Sequence, residues 1–334
     1  MGITIKDIAR QANVSTTTVS RVINNKPDVS DSTKEKIQKI INKNNYQPNN
    51  IARGLVLKKT KTIGLIIPDI SNPFFPEIIK GVEHKTKGSG YSVIICDTEN
   101  QIKQEKSSID LLINNRVDGI IMSLSSESVM DLNTIKKSDL SIVQLDRNIP
   151  ELKYPMVSVD NKLSAYKATE YLINLGHNKV GHVTGDMNTK PAIDRLKGYK
   201  KALKDNNINF NDKLVINGDY SKKSGYNAMK KMLKNENPTA VFFANDLMAL
   251  GAYEVFDEYE LKVPDDISII GHDDIDVSSL VQPKLTTMRQ PKNKLGKIAA
   301  KILLDLIENN KEFYEDVVLN TELVERQSVK KLES

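Results

Sequence analysis

From Thr62 to Asp274 the chain repeats one pattern, a short apolar run followed by a helix-length amphipathic stretch. The runs are TIGLIIP, YSVIICD, DGIIMS, SIVQLD, KVGHVTG, TAVFFAN and DISIIGHDD. They are almost continuously apolar instead of alternating, as strands buried on both faces of a parallel sheet must be. Parallel strands need crossover helices to join them, so the spacing predicts α/β sheets that are parallel and doubly wound. A second cycle begins near Val157 to Asn161, which predicts two similar lobes.

A chain of 334 residues can fill two or three domains. No run of eighteen apolar residues occurs, so no transmembrane helix and no membrane partner are predicted. Met1 to Arg10 lacks the apolar stretch of a signal peptide, which predicts a cytoplasmic protein. The single cysteine, Cys96, cannot form an internal disulfide and sits in an apolar run, where burial would make it inert. The net charge of +5 is unevenly divided. Residues 1–61 hold 12 Lys and Arg against 4 Asp and Glu, a balance of +8, which leaves −3 for the remainder. A basic head on a slightly acidic body suggests a polyanionic partner for the head. A solvated basic surface would give the same balance, so pattern has to decide.

In that head Ile5, Ile8, Ala9 and Ala12 share one helix face, and Asn13-Val14-Ser15 interrupts the run. Ser15 can cap a second helix whose buried stripe is Val19, Val22 and Ile23. Its opposite face carries Thr16, Thr17, Ser20, Arg21 and Asn24, short polar groups of the kind a helix entering the major groove needs. A third helix, starting near Ser30 or Asp31, packs Ile37, Ile40 and Ile41 on the other two. Beyond Pro48 the segment NNIARGLVL makes a poor short helix, because Gly54 costs about 1 kcal/mol relative to Ala. It is predicted to be disordered alone and helical only when docked. Leu55 stands out there, an apolar side chain in a basic linker with no core to join.

The string TIKDIARQANVSTTTVSRVINNKP closely resembles the head of the lactose-repressor (LacI) family. The resemblance implies a helix-turn-helix in which Thr16, Thr17 and Arg21 read the major groove. It implies a hinge helix in which Ala52 and Leu55 meet the minor groove, with Leu55 wedging between bases. Paired hinges imply a homodimer on a roughly palindromic double-stranded operator. The family resemblance covers nearly the whole chain and implies a small all-α head plus a periplasmic-binding-protein type I body. The expected domains are 1–48 for the head, 49–61 for the hinge and linker, and 62–330 for the body. Within the body, one lobe is expected over about 62–160 and 291–318, the other over about 161–290 and 319–330. Three crossings between lobes are implied, so Pro291 to about Asn310 should return to the first lobe.

Polar and aromatic residues gather at the strand ends: Asn72, Phe74, Phe75, Asp146, Arg147, Arg195, Tyr220, Asn245, Asp273 and Gln290. Together they have the makings of a sugar site, with bidentate groups for the hydroxyl edge and rings for the C–H faces. The set resembles the pocket of bacterial ribose-binding proteins, with Tyr220 where that pocket carries Phe. His272 departs from the family pattern, which usually has Phe between that Gly and Asp.

The favoured reading is therefore a sugar-released transcriptional repressor with ribose as the effector. The alternative is a catabolite-control regulator whose DNA binding a phosphocarrier protein strengthens. LGKIAAKILLDLI lacks the Arg-bearing pattern with which such regulators meet that partner. Purine corepression fits less well, because NPFF replaces the aromatic residues of the purine site. An enzyme is not expected: His84, His177, His182 and His272 lack metal-ligand spacing, and no GxSxG or phosphate-loop sequence occurs. No cofactor or metal is expected. A purely architectural DNA-bending role would leave the strand-end residues without a purpose. The tail lacks the leucine heptads of a tetramerising coil.

Overall fold

The chain divides into two units, Met1–Thr60 and Lys61–Ser334. The computed structural model describes residues 3–24, 26–44, 46, 59–124, 135, 138, 140–147, 149, 152–309 and 314–332. Ala52 and Leu55 of the expected hinge lie outside the described residues.

The first unit contains α1 (Ile5–Ala12), α2 (Thr16–Ile23) and α3 (Asp31–Lys43). Thr4 Oγ1 accepts from the Asp7 backbone N–H at 3.3 Å, and the Asp7 carboxylate accepts from the Thr4 N–H at 3.0 Å. This reciprocal box satisfies two of the donors that a helix start leaves open. Asn13, at a left-handed φ of 54°, ends α1, a conformation Asn tolerates better than most residues. Two residues later Ser15 Oγ accepts from the Thr18 N–H at 3.0 Å and starts α2. The helices are thus joined by a three-residue turn, and Ile8, Val19 and Ile37 are fully buried between them and α3. Thr16, Thr17 and Arg21 are left exposed on α2.

The second unit opens with β1 (Thr62–Ile67), α4 (Phe74–Lys87), β2 (Ser92–Asp97), α5 (Ile102–Asn114), β3 (Gly119–Met122), β4 (Ser141–Leu145) and β5 (Met156–Val159). There follow α6 (Asn161–Asn174), β6 (Val180–Thr184), α7 (Lys190–Asp205), β7 (Val215–Asn217), α8 (Lys222–Asn235), β8 (Ala240–Phe243) and α9 (Asp246–Glu258). It closes with β9 (Ser268–Asp273), β10 (Thr286–Arg289), α10 (Lys292–Asn309), β11 (Val317–Leu319) and β12 (Glu322–Val324). The strands form two six-stranded sheets, ordered β11-β5-β4-β3-β1-β2 and β12-β10-β9-β8-β6-β7. Every neighbouring pair is parallel except β10 with β12. The first sheet is covered on one face by α4 and α10 and on the other by a cluster that includes α5. The second is covered likewise by α8 and α9 on one face and by α6 and α7 on the other. The fold is the small helical head with a doubly wound, two-sheet α/β body.

Within the 157–161 stretch expected to open the second cycle, Val157 still belongs to the first sheet, because β5 pairs with β4, Leu145 opposite Val157. The chain leaves only at Asp160, whose carboxylate caps α6 by accepting from the Leu163 N–H at 2.8 Å. It crosses between sheets three times: between β5 and α6, between β10 and α10, and between β11 and β12. The second crossing is held by backbone contact of α10 on α4. A Cβ on Gly81 would lie 2.2 Å from the Asn293 carbonyl oxygen, and one on Gly296 would lie 2.1 Å from that of Ile78.

His182 on β6 is fully buried, stacked between Tyr199 and Phe242, with Nδ1 donating to the Phe242 carbonyl at 2.9 Å. Burial is the main cause that pulls its pKa down to about 4 from an ordinary 6.5. Between those values the unfolded chain binds the proton and the folded chain does not, so stability falls as pH drops from 6.5 towards 4. At pH 5 the loss is about 2 kcal/mol for one such group. Urea unfolding of His182→Gln at pH 7 and pH 5 should show the gap between the two pH values narrowed by about that amount. An unchanged gap would show that His182 does not titrate as described.

Candidate ligand cleft and DNA-reading face

All ten strand-end residues line one cavity, joined by Pro191, with about 310 Å³ of atom-free space. The first sheet contributes Asn72 after β1, Phe74 and Phe75 at the start of α4, and Asp146 and Arg147 after β4. The second contributes Pro191 and Arg195 on α7, Tyr220 before α8, Asn245 after β8 and Asp273 at the end of β9. Gln290 lies on the second crossing. The C-terminal ends of parallel strands face each other here, where open α/β sheets generally hold ligands.

Each side chain is held by its neighbours. Asn72 Oδ1 accepts from the Phe74 N–H at 3.0 Å, which starts α4 and turns two rings inward. Phe74 and Phe75 belong to the first-sheet core as well as the cavity wall, with centroids 5.1 Å apart and planes at 83°. Asn245 caps α9 by accepting from the Met248 N–H at 3.0 Å while donating to the Tyr220 carbonyl at 2.9 Å. Arg195 is buried and donates from Nε to Asn161 Oδ1 at 2.9 Å and from Nη1 to the Ala244 carbonyl. Arg147 Nη1 donates to Asn100 Oδ1 at 3.3 Å, and its guanidinium lies 5.5 Å from the Tyr220 ring centroid. Gln290 Nε2 donates to Asp273 Oδ1 at 2.7 Å. Gln290 Oε1 is buried with no partner among the described residues.

Burial raises the pKa of Asp146 above the usual carboxylate range, while Arg147 and Arg195 oppose the shift. Burial also raises the Tyr220 hydroxyl, against the pull of Arg195, Arg147 and a hydrogen bond to Thr189. Guanidinium donors, carboxylate and carboxamide acceptors and three aromatic rings thus converge on one small space. Sequence reasoning missed Pro191. It lies four residues before Arg195, on the same face of α7, a spacing that would have found it. Among the described residues no cluster of three His, Cys, Asp or Glu side chains could hold a metal. No described helix is long and apolar enough to cross a membrane.

Tyr220 has room only because residue 185 is glycine. A Cβ there would sit 2.0 Å from Tyr220 Cζ. Gly185→Ala is expected to displace the ring and weaken ligand binding in the cleft while leaving operator affinity in the unliganded chain intact. Parallel calorimetry and operator titrations check this.

On α2 the outward face offers Thr16, Thr17 and Arg21. Arg21 Nη1 lies 3.1 Å from Asp28 Oδ2, both side chains about half exposed. An ion pair so exposed contributes only about 0–1 kcal/mol and yields easily to a stronger partner.

Residues 4–49 match the model of bacterial regulatory proteins of the lacI family, and residues 169–329 match that of the periplasmic binding protein-like domain. Over 333 residues the chain is 38% identical to the HTH-type transcriptional repressor PurR of Photobacterium profundum, covering 98% of this chain and 99% of that one. The chain belongs to the LacI family. This LacI-family repressor is also 37% identical to the ribose operon repressor of Haemophilus influenzae over 98% of both chains. Among solved structures it resembles the Lac repressor dimer bound to operator and the anti-inducer ONPF, with a TM-score of 0.87 and 29% identity. That match covers 99% of this LacI-family chain and 100% of the other.

Proposed function

We propose that this chain represses sugar-utilisation genes as a homodimer on a palindromic operator, and is released when ribose or a related pentose fills the cleft. The observation that carries the reading is the make-up of one cavity. Two arginines, two aspartates and three carboxamides line it with Phe74, Phe75 and Tyr220. A sugar offers hydroxyls around its edge and C–H groups on its faces, and this set answers both. The unpartnered Gln290 Oε1 supports a ligand that donates a hydroxyl there. The likeness to the ribose operon repressor of Haemophilus influenzae supports ribose.

On DNA, Thr16, Thr17 and Arg21 are the proposed base readers, and Ala52 and Leu55 the proposed minor-groove contacts of a hinge. Val277 and Leu280, 40% and 72% exposed on one turn, support contact with a second copy. Sugar shifts the lobe equilibrium only through unequal affinity for its two arrangements, which would space the paired hinges differently.

Calorimetric titration of the full chain with D-ribose, other pentoses, hexoses, adenine and hypoxanthine tests the assignment. Heat from a pentose supports it. Binding of a purine base with no response to any monosaccharide would overturn it.

A further inference from the structure

His272 is the one sequence feature that the cleft does not absorb. It is fully buried, directly before Asp273 at the end of β9. Thr321 Oγ1 donates to Ser164 Oγ at 2.8 Å. Ser164 Oγ lies 2.8 Å from His272 Nε2, and His272 Nδ1 lies 3.1 Å from Asp273 Oδ1 and 3.4 Å from Gln290 Nε2. A carboxylate oxygen only accepts, which favours the tautomer with the proton on Nδ1 and with Nε2 accepting from Ser164. Burial keeps the ring neutral, with its pKa pulled down to about 4.

The positions of these partners give the chain its meaning. Ser164 lies in the first turn of α6, just past the first crossing. Gln290 sits on the second crossing and donates to the same Asp273 oxygen at 2.7 Å. Thr321 lies between β11 and β12, on the third. From the second crossing Lys292 Nζ also donates to the carbonyl oxygens of Asp273 and Asp274 at 2.6 and 2.5 Å. Those two residues hold φ of 114° and 54°, backbone that L-residues adopt reluctantly and that these bonds keep in place. One cavity-lining carboxylate is thus tied to all three crossings between the sheets. A phenylalanine at 272 would fill the space and break both ring bonds.

We propose that His272 is a positioning residue whose hydrogen-bonded chain, Thr321 to Ser164 to His272 to Asp273, transmits occupancy of the cleft to the three crossings between lobes. The coupling half of this inference rests on the cleft being an effector site. The chain itself does not.

The first test needs no ligand. In the full chain with ¹⁵N-labelled histidine at neutral pH, the His272 resonances are assigned by their loss in His272→Gln. They should show a protonated Nδ1 and a bare Nε2, and the Nε2 shift should move in Thr321→Val. A proton on Nε2 overturns the proposal. The second test uses D-ribose on full-length His272→Phe, Thr321→Val and His272→Gln. The first two variants should bind D-ribose, and bind operator without sugar, within about threefold of the parent. Their sugar-induced loss of operator affinity should shrink at least tenfold or vanish, since coupling of this kind is typically about 5- to 150-fold. His272→Gln, which keeps one donor and one acceptor, should restore much of the response. An unaltered response in both His272→Phe and Thr321→Val overturns the coupling. If D-ribose does not bind the parent, the ribose assignment fails, and the tautomer still decides the chain.

Discussion

Replacing Arg195 with Ala is expected to weaken effector binding by about 100-fold or more while leaving operator binding in the unliganded chain within about threefold. A guanidinium has five N–H donors. Two are engaged inside the protein, on Asn161 Oδ1 and the Ala244 carbonyl, and the remainder are available to the cavity that Arg195 lines. Two charge-assisted hydrogen bonds to a ligand, at about 1.5–3 kcal/mol each, set that floor. The substitution also removes one of the two cations that hold Asp146 towards its charged form. Arg195→Lys keeps the charge but not the planar fork, and should recover only part of the affinity. Calorimetry gives the ligand affinity and fluorescence anisotropy the operator affinity. Equal losses in both would mean that Arg195 serves the fold and not the effector.

Arg21→Ala is the mirror image, with operator binding lost and cleft binding kept. A bidentate contact to a base contributes about 1–3 kcal/mol of discrimination. With one such arginine in each half of a palindrome the loss is at least about 30-fold, and selectivity should relax at one base pair per half-site. The Asp28 pair is too exposed to offset this. Competition titrations with single-base operator variants measure both effects. A uniform loss across all variants would place Arg21 on the phosphates instead.

Where periodicity carries the information, the sequence was legible. Ile8, Val19 and Ile37 could be read as one core because helix spacing places each on a single face. The seven apolar runs became strands because burial on both faces demands continuous apolar sequence. Strand β10, whose end was marked through Gln290, was not among the apolar runs for the opposite reason. Its buried Thr286 and Thr287 are satisfied by hydrogen bonds with Ser328, Arg326 and Asp246, so it does not look like a core strand. The short β7, β11 and β12 are only partly buried and carry almost no pattern. Asn72, Asp146, Arg147, Asn245, Asp273 and Gln290 were legible from their place after strands, whereas Arg195, on α7, and Tyr220 were marked through the resemblance to a ribose-binding pocket. His272 could be marked as a departure but not explained, since Ser164 lies 108 residues before it in sequence and Thr321, on its other side, is 157 residues from Ser164. Only the three crossings bring them together.

Occupancy of the cleft is proposed to govern DNA binding. The most direct test is a fluorescence-anisotropy titration of the full chain on a duplex that the chain itself selects from a random library, repeated with millimolar D-ribose. Sugar should weaken operator binding at least about tenfold, within the usual 5- to 150-fold span of such coupling, and Arg195→Ala should abolish the effect. Operator binding that is unchanged or strengthened, with calorimetry showing the cleft filled, would mean that sugar does not release this chain from DNA.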